Sequence, residues 1–276
     1  LVFFMKRSRP HLYAVIVALC TTLLLISGAA ITSSRNQARQ VLFQYVHPLA
    51  AAADTLLIAG LLIWLFREGG RKWLLRVGWS ILAILIVDAG LGTLQQHGSS
   101  EPVAGTLHAF FAALLFAAIA AIALVTSPSW QRDPQLVRDY GWPSLRSLSS
   151  GAAFLVAMQI GFGAGLRHSA VGVMPHLLGA LVVALFIVIV GVFVTNQFPR
   201  HASLRPMAAI FMVVTGIQVF LGMTAFFMRM MGTTRSIAFL VISVAHVATG
   251  SLVFAVSVML AIEVRRCVLP RAQPTE

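Results

Sequence analysis

Acidic residues are scarce in this chain, with 8 Asp and Glu among 276 residues, and charged residues of both signs make up only 10%. A soluble domain carries roughly 25% charged residues, so an ordinary water-facing surface is excluded. Cysteine is nearly absent too. Cys20 and Cys267 stand at opposite ends of the chain, and Cys20 lies inside an apolar run, which excludes a disulfide framework and a Cys-rich metal site. No stretch alternates polar and apolar residues in the manner of a membrane β-barrel strand. What is abundant is apolar side chain, at 59% of the residues. One soluble core cannot hide that much, so lipid is the expected solvent. The net charge of +12 would suggest nucleic acid on a soluble protein. Here the basic residues sit in short loops between apolar runs, so they report orientation in a membrane, and no nucleic-acid partner is expected.

A helix needs roughly 20 apolar residues to cross the ~30 Å hydrocarbon layer. Eight segments qualify, at about 12–32, 45–66, 77–95, 103–126, 147–166, 173–195, 207–228 and 236–263. The first follows Met5-Lys-Arg-Ser-Arg9 and ends near Gly28-Ala-Ala30, which resembles a cleaved leader. Its apolar stretch is longer than a leader's, so it reads as a retained helix. Putting the N-terminus in the cytoplasm places 15 of the 20 Lys and Arg on the cytoplasmic side. The other five, Arg35, Arg39, Arg167, Arg229 and Arg235, fall on the outer side. This bias predicts a multi-pass protein of the cell inner (plasma) membrane with both termini cytoplasmic.

The longest polar stretch, 127–146, contains Pro128, Pro134 and Pro143 and reads as a cytoplasmic linker. It separates a four-helix bundle at 1–126 from a second at 147–276. Four helices is an even number, so the halves have the same orientation, and the expected fold is an all-α parallel repeat. The residues repeat as well. Predicted helices three, five and seven each carry a polar residue four before a glycine: Asp88 and Gly92, Gln159 and Gly163, Gln218 and Gly222. The even helices each carry one histidine toward the outer end: His47, His108, His176 and His246.

Each of these histidines has a small residue four positions later: Ala51, Ala112, Ala180 and Gly250. Positions i and i+4 share a helix face, so a flat macrocycle has room beside the imidazole. Neutral imidazole is a good axial ligand for heme iron. Facing pairs in a bundle core predict two heme sites, His47 with His108 and His176 with His246. A lone histidine in a membrane helix often only bonds a neighbouring helix. Four at matched positions in two repeats call for a functional reading. Heme propionates need cations, and Arg167, Arg229 and Arg235 are the candidates, with Arg35 and Arg39 as further outer arginines. His168, directly after Arg167, is placed to meet a bound group from an outer loop, whereas His97 reads as a solvated loop residue. His11 and His201 read as solvated residues of the cytoplasmic edge. Asp54 lies seven residues after His47, ~10 Å deeper at 1.5 Å per residue. Asp88 reads at a similar depth. Both are buried acids, either proton carriers or neutral groups that bond helices together, with structure the favoured role.

The segment Gln159-Ile-Gly-Phe-Gly-Ala-Gly-Leu-Arg-His-Ser169 resembles the fifth helix of the heme A synthase family, and Gly105-Thr-Leu-His-Ala-Phe-Phe-Ala-Ala-Leu-Leu-Phe116 resembles the fourth. That family has eight helices in two bundles with one histidine on each even helix. The resemblance implies heme A biosynthesis, by oxidation of the methyl group of heme O, for cytochrome oxidase assembly. It implies that His176 and His246 hold a resident heme b and that His47 and His108 hold the substrate heme O. It also implies an electron donor, with heme O synthase or cytochrome oxidase as partners. The family's glutamate three residues before the first histidine is thought to take part in the oxidation, and Gln44 occupies that position. The cysteine pair that many members carry after helix one is missing from 33–40. A non-catalytic diheme b electron-transfer protein, or a heme chaperone of the same fold, is the alternative.

Overall fold

The computed structural model describes residues 2–34, 36–67, 72–96, 102–139 and 141–270. It contains eight helices: α1 Val2–Ser33, α2 Gln37–Arg67, α3 Lys72–Gln96, α4 Pro102–Val125, α5 Leu145–Arg167, α6 Val173–Gln197, α7 Leu204–Met230 and α8 Ile237–Cys267. All eight are long and apolar enough to cross a membrane. Helices win because a backbone crossing lipid must satisfy its own polar groups. The surface is inverted accordingly. On α1, Leu12, Ile16, Leu19 and Leu23 face outward while Ala14, Val17 and Thr21 are buried. On this helix small and polar side chains meet the neighbouring helices, and the large aliphatic ones face outward.

Helices α1 to α4 pack in a ring, and α5 to α8 pack in a second. The rings meet where α1 and α4 lie against α8 and where α4 lies against α5. Each ring has its own apolar core. Ile58, Leu61, Ile81 and Ile119 belong to the first, and Val190, Leu204, Phe211 and Leu260 to the second. Helix α4 serves both, because Ala113, Phe116 and Ala117 turn toward the second core while Leu115 and Ile119 turn toward the first.

The segment between the halves is anchored to the end of α8. Val137 donates to the carbonyl of Cys267 and accepts from the amide of Leu269, both at 2.9 Å. Arg266 donates to the carbonyl of Trp130 at 2.9 Å and stacks 4.2 Å from its ring centre. The helix α5 begins at Leu145, two residues before the apolar run, because Ser144 caps it by accepting from the amide of Ser147.

Two histidines expected to be solvated are not. His201 is 4% exposed. Its Nε2 donates to the carbonyl of Gln135 at 2.9 Å, and its Nδ1 accepts from the amides of Ser203 and Leu204. It thereby caps the start of α7, whose first amides have no partner within the helix. His11 is half-buried and bonds the carbonyl of Ala123 at 2.8 Å. Burying free backbone groups at helix ends is costly, and these imidazoles satisfy them.

Candidate functional site

Each of the four even-helix histidines lies close to a glycine of the preceding odd helix. A Cβ at Gly28 would stand 3.0 Å from Cε1 of His47, and one at Gly92 3.1 Å from Cε1 of His108. At Gly163 and Gly222 the distances to His176 and His246 would be 3.1 and 2.7 Å. At Gly222 a Cβ would force the ring to move, and at the other three it would press on the ring by a few tenths of an ångström. Three of these glycines belong to the sequence repeat. Gly28 does not, because Leu24 stands four residues before it and is apolar.

The other edge of each ring is oriented by its Nδ1. Ser27 donates to the carbonyl of Leu24 at 2.8 Å, so its oxygen is left to accept from His47 Nδ1 at 2.9 Å. His108 Nδ1 donates to the carbonyl of Asp88 at 3.1 Å, and the Asp88 carboxylate Oδ1 lies 2.8 Å from the same nitrogen. His246 Nδ1 donates to the carbonyl of Gln218 at 3.2 Å. With the proton on Nδ1, the lone pair is on Nε2, the arrangement that ligand histidines adopt. His176 differs. The Gln159 amide nitrogen donates to the His176 carbonyl at 2.9 Å and lies 3.0 Å from its Nδ1. Turned about its last bond, the same amide would offer its oxygen to an Nδ1–H. Asp88 was expected about as deep as Asp54. It sits four residues below Gly92, and its side chain reaches the level of His108, because the acid and the imidazole meet across the α3–α4 contact.

The rings of His47 and His108 are 6.3 Å apart between centres and inclined at 81°. Those of His176 and His246 are 6.2 Å apart and inclined at 88°. A metal–imidazole bond is roughly 2.0 Å and a ring nitrogen lies roughly 1.1 Å from its ring centre, so two imidazoles on opposite sides of one metal have centres about 6 Å apart. Both pairs have that spacing. Among the described residues no three or more His, Cys, Asp or Glu converge to hold a metal ion. Two imidazoles suit instead a metal that arrives with four in-plane ligands, as heme iron does.

Both pairs line one cavity of about 2300 Å³. Single-ligand pockets run from roughly 300 to 1,000 Å³, so there is room for two macrocycles. Ala51, Ala112, Ala180 and Gly250 are in its wall, as are Gln44, Arg167 and Arg229. Gln44 is exposed. Arg235 is also exposed and is not part of the wall. Arg39 is outside the wall too, and its amide donates to Asn36 Oδ1. Arg35 and His97 lie outside the described residues. Arg167 crosses between the halves. It donates to the Ala29 carbonyl and the Thr32 hydroxyl, and to the Ser33 hydroxyl at 2.8 Å. His168 is half-buried beside Gly105. Burial, Arg167 and His108 push its pKa down to about 4.

Three buried side-chain oxygens among the described residues have no partner, Asp54 Oδ1, Gln159 Oε1 and Gln218 Oε1, while Asp88 Oδ1 meets only His108 Nδ1. These three residues and Asp88 line this cavity. Unpartnered buried oxygens are costly, and their convergence on one space marks it as a place for a ligand. The floor is otherwise mostly apolar. In the first half Thr21 donates to Asp54 Oδ2 at 2.9 Å. Seven residues from the matching glycine and histidine of the second half stand Val156 and Val183.

No family model and no curated protein matches the chain. The resemblance to heme A synthases therefore stands on the residues quoted for it. Sequence reasoning missed Gly28, Ser27 and the contact of Asp88 with His108. A glycine near the end of α1 was the available signal for the first of these.

Proposed function

We propose that this is a heme-binding membrane protein of the heme A synthase type, with one heme between His47 and His108 and another between His176 and His246. The observation that carries this reading is the pair of ring-centre spacings, 6.3 and 6.2 Å, each suited to two axial imidazoles. The glycines leave space for the rings, and at His47, His108 and His246 the Nδ1 partners leave the lone pair on Nε2. Arg229, in the cavity wall, is a cation available to propionates, and Arg167, in the same wall, could offer only the donors it does not give to Ala29, Thr32 and Ser33. The contact of Gln218 Nε2 with His246 Nε2 at 3.4 Å would be given up on ligation. Bound heme iron supplies one-electron chemistry and, with an open position, oxygen activation.

On this reading the second half holds a resident heme b and the first half holds heme O as substrate, whose methyl group is oxidised. An electron donor is required, and heme O synthase or cytochrome oxidase are the partners that the resemblance implies. On this reading the protein sits in the inner (plasma) membrane with both termini cytoplasmic, which the bias of Lys and Arg supports. One observation favours a second reading, a non-catalytic diheme b carrier or heme chaperone: Gln44 is an amide in the cavity wall, and an amide cannot act as a general base.

The test is heme composition by chromatography after co-expression with a heme O source. Heme A or its alcohol precursor in the unmodified protein supports the enzyme. Heme b alone, with no oxidised product even in Gln44→Glu, supports the second reading. A protein that binds no heme, or a His176→Ala variant that keeps the full low-spin spectrum, overturns the heme assignment.

A further inference from the structure

The two halves orient their fourth-position histidines in the same way but with different chemistry. Asp88 and Gln218 occupy equivalent places, four residues before Gly92 and Gly222. Both backbone carbonyls accept from the Nδ1 of the facing histidine, at 3.1 Å for His108 and 3.2 Å for His246. The backbone geometry is therefore matched, and the side chain is the difference. Asp88 places a carboxylate oxygen 2.8 Å from His108 Nδ1. Gln218 offers His246 an uncharged amide, whose nitrogen sits 3.4 Å from Nε2 and away from Nδ1. Among the described residues the side chain that meets His176 Nδ1 is an amide, and the one that meets His47 Nδ1 is a hydroxyl.

A carboxylate against the Nδ1–H of a ligand histidine pulls the proton toward itself and raises electron density at Nε2. A more basic axial ligand favours the ferric over the ferrous state. The surroundings amplify this, because Asp88 is buried and charge interactions are weakly screened in a membrane bundle. We infer that Asp88 makes the first-half site the low-potential site of the pair, by positioning and polarising His108. This rests on the reading that each histidine pair holds a heme. At equilibrium the second-half iron is then reduced first, and the first-half iron stays oxidised until a stronger reductant is present.

The experiment is a reductive titration of the purified, heme-loaded protein followed by its α-band absorption. Two waves are expected, and the one lost in His47→Ala identifies the first half. Asp88→Asn should raise the lower wave by about a tenfold change in ferric-over-ferrous preference, which is about 59 mV for one electron. Asp88→Glu should restore most of the shift. If Asp88→Asn loses its heme, the complementary variant decides: Gln218→Asp should lower the second-half wave in the same measure. A single shared potential, or an unchanged lower wave in Asp88→Asn with both hemes retained, overturns the inference while leaving the heme reading intact. An unchanged upper wave in Gln218→Asp overturns it as well. A protein that takes up no heme at all overturns both.

Discussion

The contact between Gly222 and His246 sets up a graded test. A methyl group at Gly222 would stand 2.7 Å from His246 Cε1. Ordinary contact begins at 3.4 Å, so the ring must retreat by about 0.7 Å, and overpacking of this kind costs about 1–3 kcal/mol. The ring cannot swing away freely, because its Nδ1 is tied to the carbonyl of Gln218, one turn before Gly222 on α7. Alanine also gains about 0.5–1 kcal/mol over glycine inside a helix. The clash wins, and Gly222→Ala should lose about 0.5–2 kcal/mol net. Gly163→Ala, at 3.1 Å from His176, needs about half the retreat and should come out near neutral. Gly161, on the same helix as Gly163, has nothing within 4 Å of a new Cβ. Gly161→Ala should therefore be neutral or slightly stabilising. Thermal unfolding in detergent reads the order without any cofactor, and the low-spin heme content of each purified variant reads it again. If Gly161→Ala is as damaging as Gly222→Ala, ring approach is not the reason for these glycines.

The floor of the first half gives a second prediction. Thr21→Val removes the hydroxyl that bonds Asp54 and should cost about 1–3 kcal/mol. Adding Asp54→Val copies the valines of the second half and should recover much of that loss, which a double-mutant cycle on thermal stability measures; strictly additive losses would refute the pairing. His168 has a folded pKa of about 4, below the ordinary value of 6.5, so the unfolded chain binds its proton more readily. Its contribution to stability is full above pH 6.5 and is lost as pH falls toward 4. His168→Gln should flatten the melting-temperature profile in that window, and an unchanged profile would count against the burial of a neutral ring. His201→Ala should cost about 0.5–2 kcal/mol by uncapping α7, with heme content unchanged; loss of heme without loss of stability would contradict a purely structural cap.

Hydropathy alone determined that this chain makes eight membrane helices, because a run of apolar residues in lipid has no other way to satisfy its backbone. It placed their centres better than their ends. The helix α2 begins at Gln37 and α8 runs on to Cys267, since a helix continues past the hydrocarbon wherever capping and packing allow. The four even-helix histidines were legible too, because i to i+4 spacing lies within one helix. The pairing of His47 with His108 and of His176 with His246 was legible from the repeat, but other contacts between helices were decided by tertiary structure. Asp88 reads from the sequence as a deep buried acid, and only the α3–α4 packing sets it 2.8 Å from His108. Arg167 reads as a helix-end cation free for propionates, yet it bonds α1 across the junction of the halves. His201 reads as a solvated loop residue, yet it is the cap of α7. The physical reason is common to all three. Rotation of a helix about its axis is set by which small residues let its neighbours approach, and loops of unequal length separate the partners, so no spacing in the sequence records these three contacts.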